Sequence, residues 1–176
     1  NMTYIDIFNE LTIDDYYTTD THWKQENIQN VANSLGNSMN FSEYLSNSYE
    51  KVEKEDFYGV YYGQAALPLK PDTISYLTND TIKNAKVKIF DSKTMTMVDG
   101  KMYNEEKLTG NDAYDLFLDG AVPLITIENE NCARDRELYI FRDSYGSSLT
   151  PLLTEAYSKI TIIDLRYMAT PLLSSF

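Results

Sequence analysis

Three residue types that together perform acyl transfer occur in this chain of 176 residues, and one of them occurs only once. His22 is the sole histidine, two positions after Asp20 in the stretch Asp20-Thr21-His22-Trp23. A serine hydroxyl is a poor nucleophile at neutral pH and needs a base, for which imidazole has a suitable pKa. The imidazole in turn needs a group that sets its tautomer and stabilises its cation. An Asp-x-His pair supplies both from one short loop, although isolated pairs of this kind also serve as helix caps or surface pairs. The candidate nucleophile to accompany them is Ser144, in Arg142-Asp143-Ser144-Tyr145-Gly146, although serines at helix starts also serve only as caps.

Ser144 needs an element that exposes it. Glu137 to Phe141 is apolar after its first residue, which predicts a strand buried on both faces of a parallel sheet. Leu149, Leu152, Leu153 and Ala156 then mark one face of an amphipathic helix. Ser147 or Ser148 is placed to cap it, and Pro151 sits where a missing N–H costs least. Ile160 to Leu165 reads as a second buried strand. The unit is β-α-β, and small ligands bind beyond the carboxyl ends of such strands. Ser144 falls there, facing the partial positive charge of a helix start.

Upstream, Ile28, Val31, Ala32 and Leu35 predict a helix stopping at Gly36. Residues 37–49 read as loop with a helical turn near Phe41–Leu45. Phe57 to Gly63 favours strand through its aromatic and branched residues. Residues 64–84, with Pro68 and Pro71, read as a loop holding one short helix. Val87 and Ile89 alternate with lysines, and Asp99-Gly100 signals a hairpin turn into Lys101-Met102-Tyr103. Residues 50–108 are therefore expected to be a small antiparallel insertion. A helix over 111–118 ending at Gly120, a strand Val122–Ile127 and a polar loop Asn129–Asp135 complete an α/β pattern in a single domain, 1–176.

Composition narrows the chemistry. A net charge of −12 argues against binding the phosphate backbone of nucleic acid. One cysteine, Cys132, excludes an internal disulfide and a cysteine metal cluster. With one histidine besides, neither a metal nor another cofactor is expected. No stretch approaches the roughly 20 apolar residues that span a bilayer. Fifteen tyrosines suit sugar faces and wet interfaces, and equally fill β-rich cores.

Three blocks carry a family resemblance: Tyr16 to Trp23, Arg142 to Ser148, and Ile163-Asp164-Leu165-Arg166-Tyr167. With Gly110 to Gly120 between them, they resemble the DHHW family. That family is similar to the AlgX and AlgJ alginate O-acetylation proteins, which carry an SGNH-hydrolase-like domain. Asp-Thr-His-Trp stands here in place of the family's Asp-His-His-Trp.

The resemblance implies an SGNH-like parallel sheet with flanking helices and a permuted order, Asp20 and His22 preceding Ser144. It implies Ser144 as nucleophile, His22 as base and Asp20 as orienting acid. Arg166 matches the family's arginine after the last strand, where it could steady the site, contact substrate or pair with a carboxylate. Trp23 is expected to anchor the His22 loop, and the Ser144 or Tyr145 N–H to form part of an oxyanion hole, with Gly120 as a further candidate donor.

The implied activity is acetyl transfer to, or hydrolysis from, an extracytoplasmic polysaccharide, with a membrane O-acyltransferase partner as acetyl source. The alternative is a non-catalytic glycan-binding or scaffold protein on the same fold. The chain ends close behind the last block and lacks an upstream region, so it is expected to be a fragment of a longer protein.

Overall fold

The computed structural model describes residues 2–65 and 68–168. They fall into two compact units, Asn1–Asn79 and Asp80–Phe176. Among the described residues, no helix is long and apolar enough to cross a membrane.

The first unit begins with single 3-10 turns, then α1 (Gln29–Met39), β1 (Glu50–Phe57), α2 (Val60–Ala65) and β2 (Asp72–Thr78). Ile28, Val31 and Ala32 are buried, as their spacing predicts. The helix does not stop at Gly36, however. It runs through that buried glycine, whose missing Cβ lets Ser42 Cα approach to 2.8 Å of where a Cβ would sit, and ends at Asn40 in the left-handed conformation.

The expected strand at Phe57–Gly63 is displaced in both directions. The charged run Glu50–Phe57 is the strand, paired antiparallel with β2, and the tyrosine-rich stretch after it is helical. Two backbone amides at the start of that helix are claimed by the Thr19–Asp20 loop, which overrides the β preference of the residues. β2 itself lies in what reads as loop; its alternate partner strand is too charged to announce a sheet.

The second unit contains α3 (Asp80–Asn84), β3 (Lys86–Asp91), β4 (Thr96–Asp99), β5 (Leu124–Glu128), β6 (Glu137–Phe141), α4 (Tyr145–Leu149) and β7 (Lys159–Ile163). A 3-10 segment, Thr150–Ala156, continues α4. The five strands form one mixed sheet in the order β4-β3-β5-β7-β6. Among the described residues, only β6 and β7 run parallel, joined by α4 and its continuation as the predicted β-α-β unit. The expected parallel sheet is thus corrected to a mixed one, because β3, β4 and β5 pair antiparallel.

Residues 50–108 likewise do not make one separate antiparallel piece. β3 is bonded to β5 in the five-stranded sheet, while β1 and β2 pair with each other in the first unit. The hairpin turn lies at residues 92–95, where Met95 is left-handed and donates to Asp91 O, and not at Asp99-Gly100.

β7 is the strand buried throughout, from Ile160 to Ile163. β6, expected to be equally buried, ends the sheet: Tyr139 and Phe141 are each 62% exposed. An apolar run specifies two apolar faces but not which neighbour covers them.

Candidate active site

Asp20 and His22 sit in a loop closed by main-chain bonds. Tyr16 and Trp23 form an isolated antiparallel bridge, and Tyr17 N–H donates to His22 O at 3.1 Å. Trp23 is buried beside them, the anchoring position expected of it. From outside the loop, Asp72 at the start of β2 accepts from Thr18 N–H, Thr19 N–H and the Thr19 hydroxyl. Gly59 N–H donates to Thr19 Oγ1, Val60 N–H to Asp20 Oδ2 at 3.0 Å, and Tyr61 N–H to Thr19 O. Gly59 is required here for space, since a Cβ on it would lie 2.3 Å from the Asp20 Cβ.

The result is a fixed carboxylate–imidazole pair. Asp20 Oδ1 accepts from His22 N–H at 2.9 Å and lies 2.5 Å from His22 Nδ1. Both residues are buried. Burial works to raise the Asp20 carboxyl, but the His22 ring, Val60 N–H and His22 N–H outweigh it and hold its pKa below the usual value. An ionised carboxylate at Nδ1 places the ring proton there, leaving Nε2 as the basic nitrogen.

Ser144 occupies the N-cap position of α4, with helical φ and ψ and no side-chain capping bond. Asp143 caps instead, its Oδ1 accepting Tyr145 N–H at 3.0 Å. The expectation that Ser147 or Ser148 caps the helix is therefore corrected. Both are buried within α4, Ser147 Oγ accepting from Arg142 and Ser148 Oγ from the Tyr114 hydroxyl at 2.6 Å. The helix starts at Tyr145, four residues before its apolar face begins at Leu149, so these serines lie inside it and are buried.

Arg142, which motif reading passed over, organises this turn. Its side chain is only 2% exposed. One guanidinium nitrogen donates to Ser147 Oγ at 2.6 Å and Asp143 O at 3.3 Å, the other to Gly120 O at 2.8 Å. Its backbone N–H joins Ile163 O on β7. Gly146 leaves room for it, since a Cβ there would meet the Arg142 Cβ at 2.7 Å. The signal available in sequence was an arginine directly after a strand and before the serine, without any sign of its partners.

Gly120 enters this unit through its carbonyl. Its N–H already donates to Phe117 O at 3.1 Å, so its suggested role as an oxyanion donor is not supported. Leu118, Asp119 and Gly120 are all left-handed, with φ of 54°, 57° and 71°. Leu118 and Asp119, the two that are not glycine, store strain that the Arg142 bond to Gly120 helps to hold. A Cβ on Gly120 would also strike Asp115 Oδ1.

Asp115 itself is raised to about 6, first by burial and then by the nearby Asp112. A raised carboxyl favours the folded state most at low pH. Its contribution is complete below the ordinary value of 3.8 and is lost as pH rises through about 6. Urea unfolding should therefore show a fall in stability from pH 4 to pH 6 that is smaller in Asp115→Asn; an identical pH slope in the variant would refute this assignment.

Arg166 pairs with a carboxylate. Its Nε and one terminal nitrogen donate to the two oxygens of the fully buried Asp164, at 2.9 and 2.7 Å. Burial alone would raise Asp164, but the bonds from Arg166 and the charge of Arg142 hold it down. The Arg166 side chain remains about half exposed.

No family model matches the sequence, and no curated protein does. Solved structures do share its fold. A DHHW family protein from Eubacterium siraeum matches with a TM-score of 0.69 and 23% identity, over 92% of this chain and 55% of that one. PatB1 of Bacillus cereus, solved with a sulfonyl adduct, matches with a TM-score of 0.70 and 19% identity, over 89% of this chain and 54% of its own. A second structure of PatB1 matches with a TM-score of 0.65 and 18% identity, over 89% of this chain and 55% of its own. The chain spans about half the length of these proteins. It resembles the DHHW family in fold as well as in its motif blocks.

Proposed function

We propose that this chain carries an SGNH-like serine acyltransferase or esterase acting on O-acetyl groups of an extracytoplasmic polysaccharide. The observation that carries the proposal is the Asp20–His22 pair: the chain's only imidazole, buried, with Nδ1 held by an ionised carboxylate 2.5 Å away. A buried imidazole fixed in one tautomer is what a serine nucleophile requires. The fold likeness to PatB1 adds support, because sulfonyl groups are captured by activated nucleophiles.

In this reading Ser144 Oγ attacks the acetyl carbonyl carbon as its proton passes to His22 Nε2. The tetrahedral intermediate expels the donor oxygen, which takes that proton back. A sugar hydroxyl or water then attacks the acetyl-Ser144 ester, giving up its proton to His22, which passes it to the departing Ser144 Oγ. Asp20 stays ionised throughout and stabilises the imidazolium. Arg166 and Tyr145 support the site, and a membrane O-acyltransferase supplies the acetyl group. The permuted order, with Asp20 and His22 ahead of Ser144, belongs to the same proposal.

Release of acetate from an acetylated polysaccharide tests it beside Ser144→Ala and His22→Ala. Each variant is expected to lose roughly 10⁴-fold or more in turnover, with the pair together losing no more than either alone. A sulfonyl fluoride should add its mass to the parent and not to Ser144→Ala. Equal turnover in all proteins would favour the non-catalytic glycan-binding reading.

A further inference from the structure

Tyr58, Tyr61 and Tyr62 are 45%, 43% and 38% exposed on and beside α2. The Tyr58 and Tyr62 rings meet edge to face, with centroids 4.6 Å apart and planes inclined by 62°. This pairs two rings and still leaves part of each in water. What distinguishes the cluster is its anchorage. Three consecutive amides, Gly59, Val60 and Tyr61, donate to Thr19 Oγ1, Asp20 Oδ2 and Thr19 O. The rings are therefore carried by a backbone bonded directly to the loop that holds His22.

We infer that Tyr58, Tyr61 and Tyr62 form a sugar-binding subsite that takes a neutral pyranose ring. A tyrosine offers a flat apolar face with a wet hydroxyl at its tip, which matches the C–H face and hydroxyl rim of a pyranose. It does so at low conformational cost, having only two side-chain torsions to fix. The strand leading into the cluster exposes Glu50, Glu53, Glu55 and Asp56. Its two lysines, the exposed Lys51, 2.6 Å from Glu53, and the half-buried Lys54, are outnumbered by these acids. This local excess of acid, in a chain of net charge −12, disfavours uronic acids and other anionic sugars. That the bound ring belongs to the glycan carrying the transferred acetyl group rests on the acyl-transfer reading; the binding of a sugar at these rings does not.

Binding is therefore measured apart from catalysis, on the Ser144→Ala protein. Its affinity for neutral hexasaccharides of glucose, N-acetylglucosamine and mannose, and for a hexagalacturonate as the anionic control, is followed by saturation-transfer NMR and calorimetry. At least one neutral hexasaccharide should bind, and hexagalacturonate should bind more weakly. Tyr58→Ala and Tyr62→Ala should each weaken binding about tenfold, the cost of truncating a contact ring. Tyr62→Phe, which keeps the ring, should retain most of the affinity. Failure of every neutral hexasaccharide to bind would overturn the inference, as would unchanged affinity in the alanine variants or stronger binding of hexagalacturonate. Loss of binding in Tyr62→Phe as complete as in Tyr62→Ala would also count against a ring-stacking subsite. A protein that binds these sugars but turns over no acetyl ester would leave the subsite standing and refute only the acyl-transfer reading.

Discussion

Asp20→Asn is expected to cut acetyl-ester turnover by roughly 10⁴-fold while the chain stays folded. The carboxylate makes three bonds, to His22 Nδ1, His22 N–H and Val60 N–H. An asparagine oxygen can still accept the Val60 N–H, so the loop keeps a tie to α2. The amide nitrogen is then left toward the ring, where it donates to Nδ1 and forces the ring proton onto Nε2. A ring protonated at Nε2 cannot accept a proton from serine. His22 being the only histidine, the ring ¹⁵N signals in NMR need no assignment among several candidates. They should report Nδ1–H in the parent and Nε2–H in the variant. Turnover within a few-fold of the parent, or an unchanged tautomer, would count against Asp20 as the orienting group.

The second large effect belongs to Arg142. Arg142→Met should destabilise the protein by about 3–5 kcal/mol, as removing one member of a buried charged network does. Asp164 keeps its three bonds from Arg166, one from the backbone N–H and two from the side chain, so the loss arises elsewhere. Ser147 Oγ, Asp143 O and Gly120 O lose their shared donor, and the left-handed run Leu118–Gly120 loses its tie to the Ser144 turn. Arg142→Lys should fall between, because an ammonium cannot span the positions that a guanidinium fork reaches. Arg142 Nε is buried without a hydrogen-bond partner, so lysine at least removes that cost. Urea unfolding measures the ladder; a Met variant within about 1 kcal/mol of the parent would mean the network is not structural.

Local chemistry was legible at several places where it depended on neighbours in sequence, though not in the Asp99-Gly100 turn, the Gly36 stop or the Ser147/Ser148 cap. Asp20 and His22 lie two residues apart, and the structure joins them through Nδ1 as an Asp-x-His loop allows. The strand–turn–helix–strand at Ser144, the strands at Val87 and Leu124, and the buried Trp23 follow from periodicity and residue type. The sequence allows Arg166 three roles, and the structure shows it paired with a carboxylate, that of Asp164 two residues away.

The limits of such reading are set by partners far along the chain. Tyr58 to Gly63 has the composition of a strand, yet Thr19 and Asp20, about 40 residues earlier, draw the amides of Gly59 to Tyr61 into a helix start. Arg142 meets Gly120 across 22 positions, an encounter no pattern in either segment announces. β6 has the apolar run of an interior strand and stands at the sheet's edge. The sequence by itself determined which residues can do chemistry: one imidazole, one aspartate set to orient it, and a serine at the end of a strand. Tertiary structure alone decided how the aspartate is held, which arginine clamps the serine's turn, and where the sheet ends. The physical reason is that periodicity encodes the face a residue offers, whereas the group that accepts its hydrogen bond or covers that face is chosen only when distant segments pack.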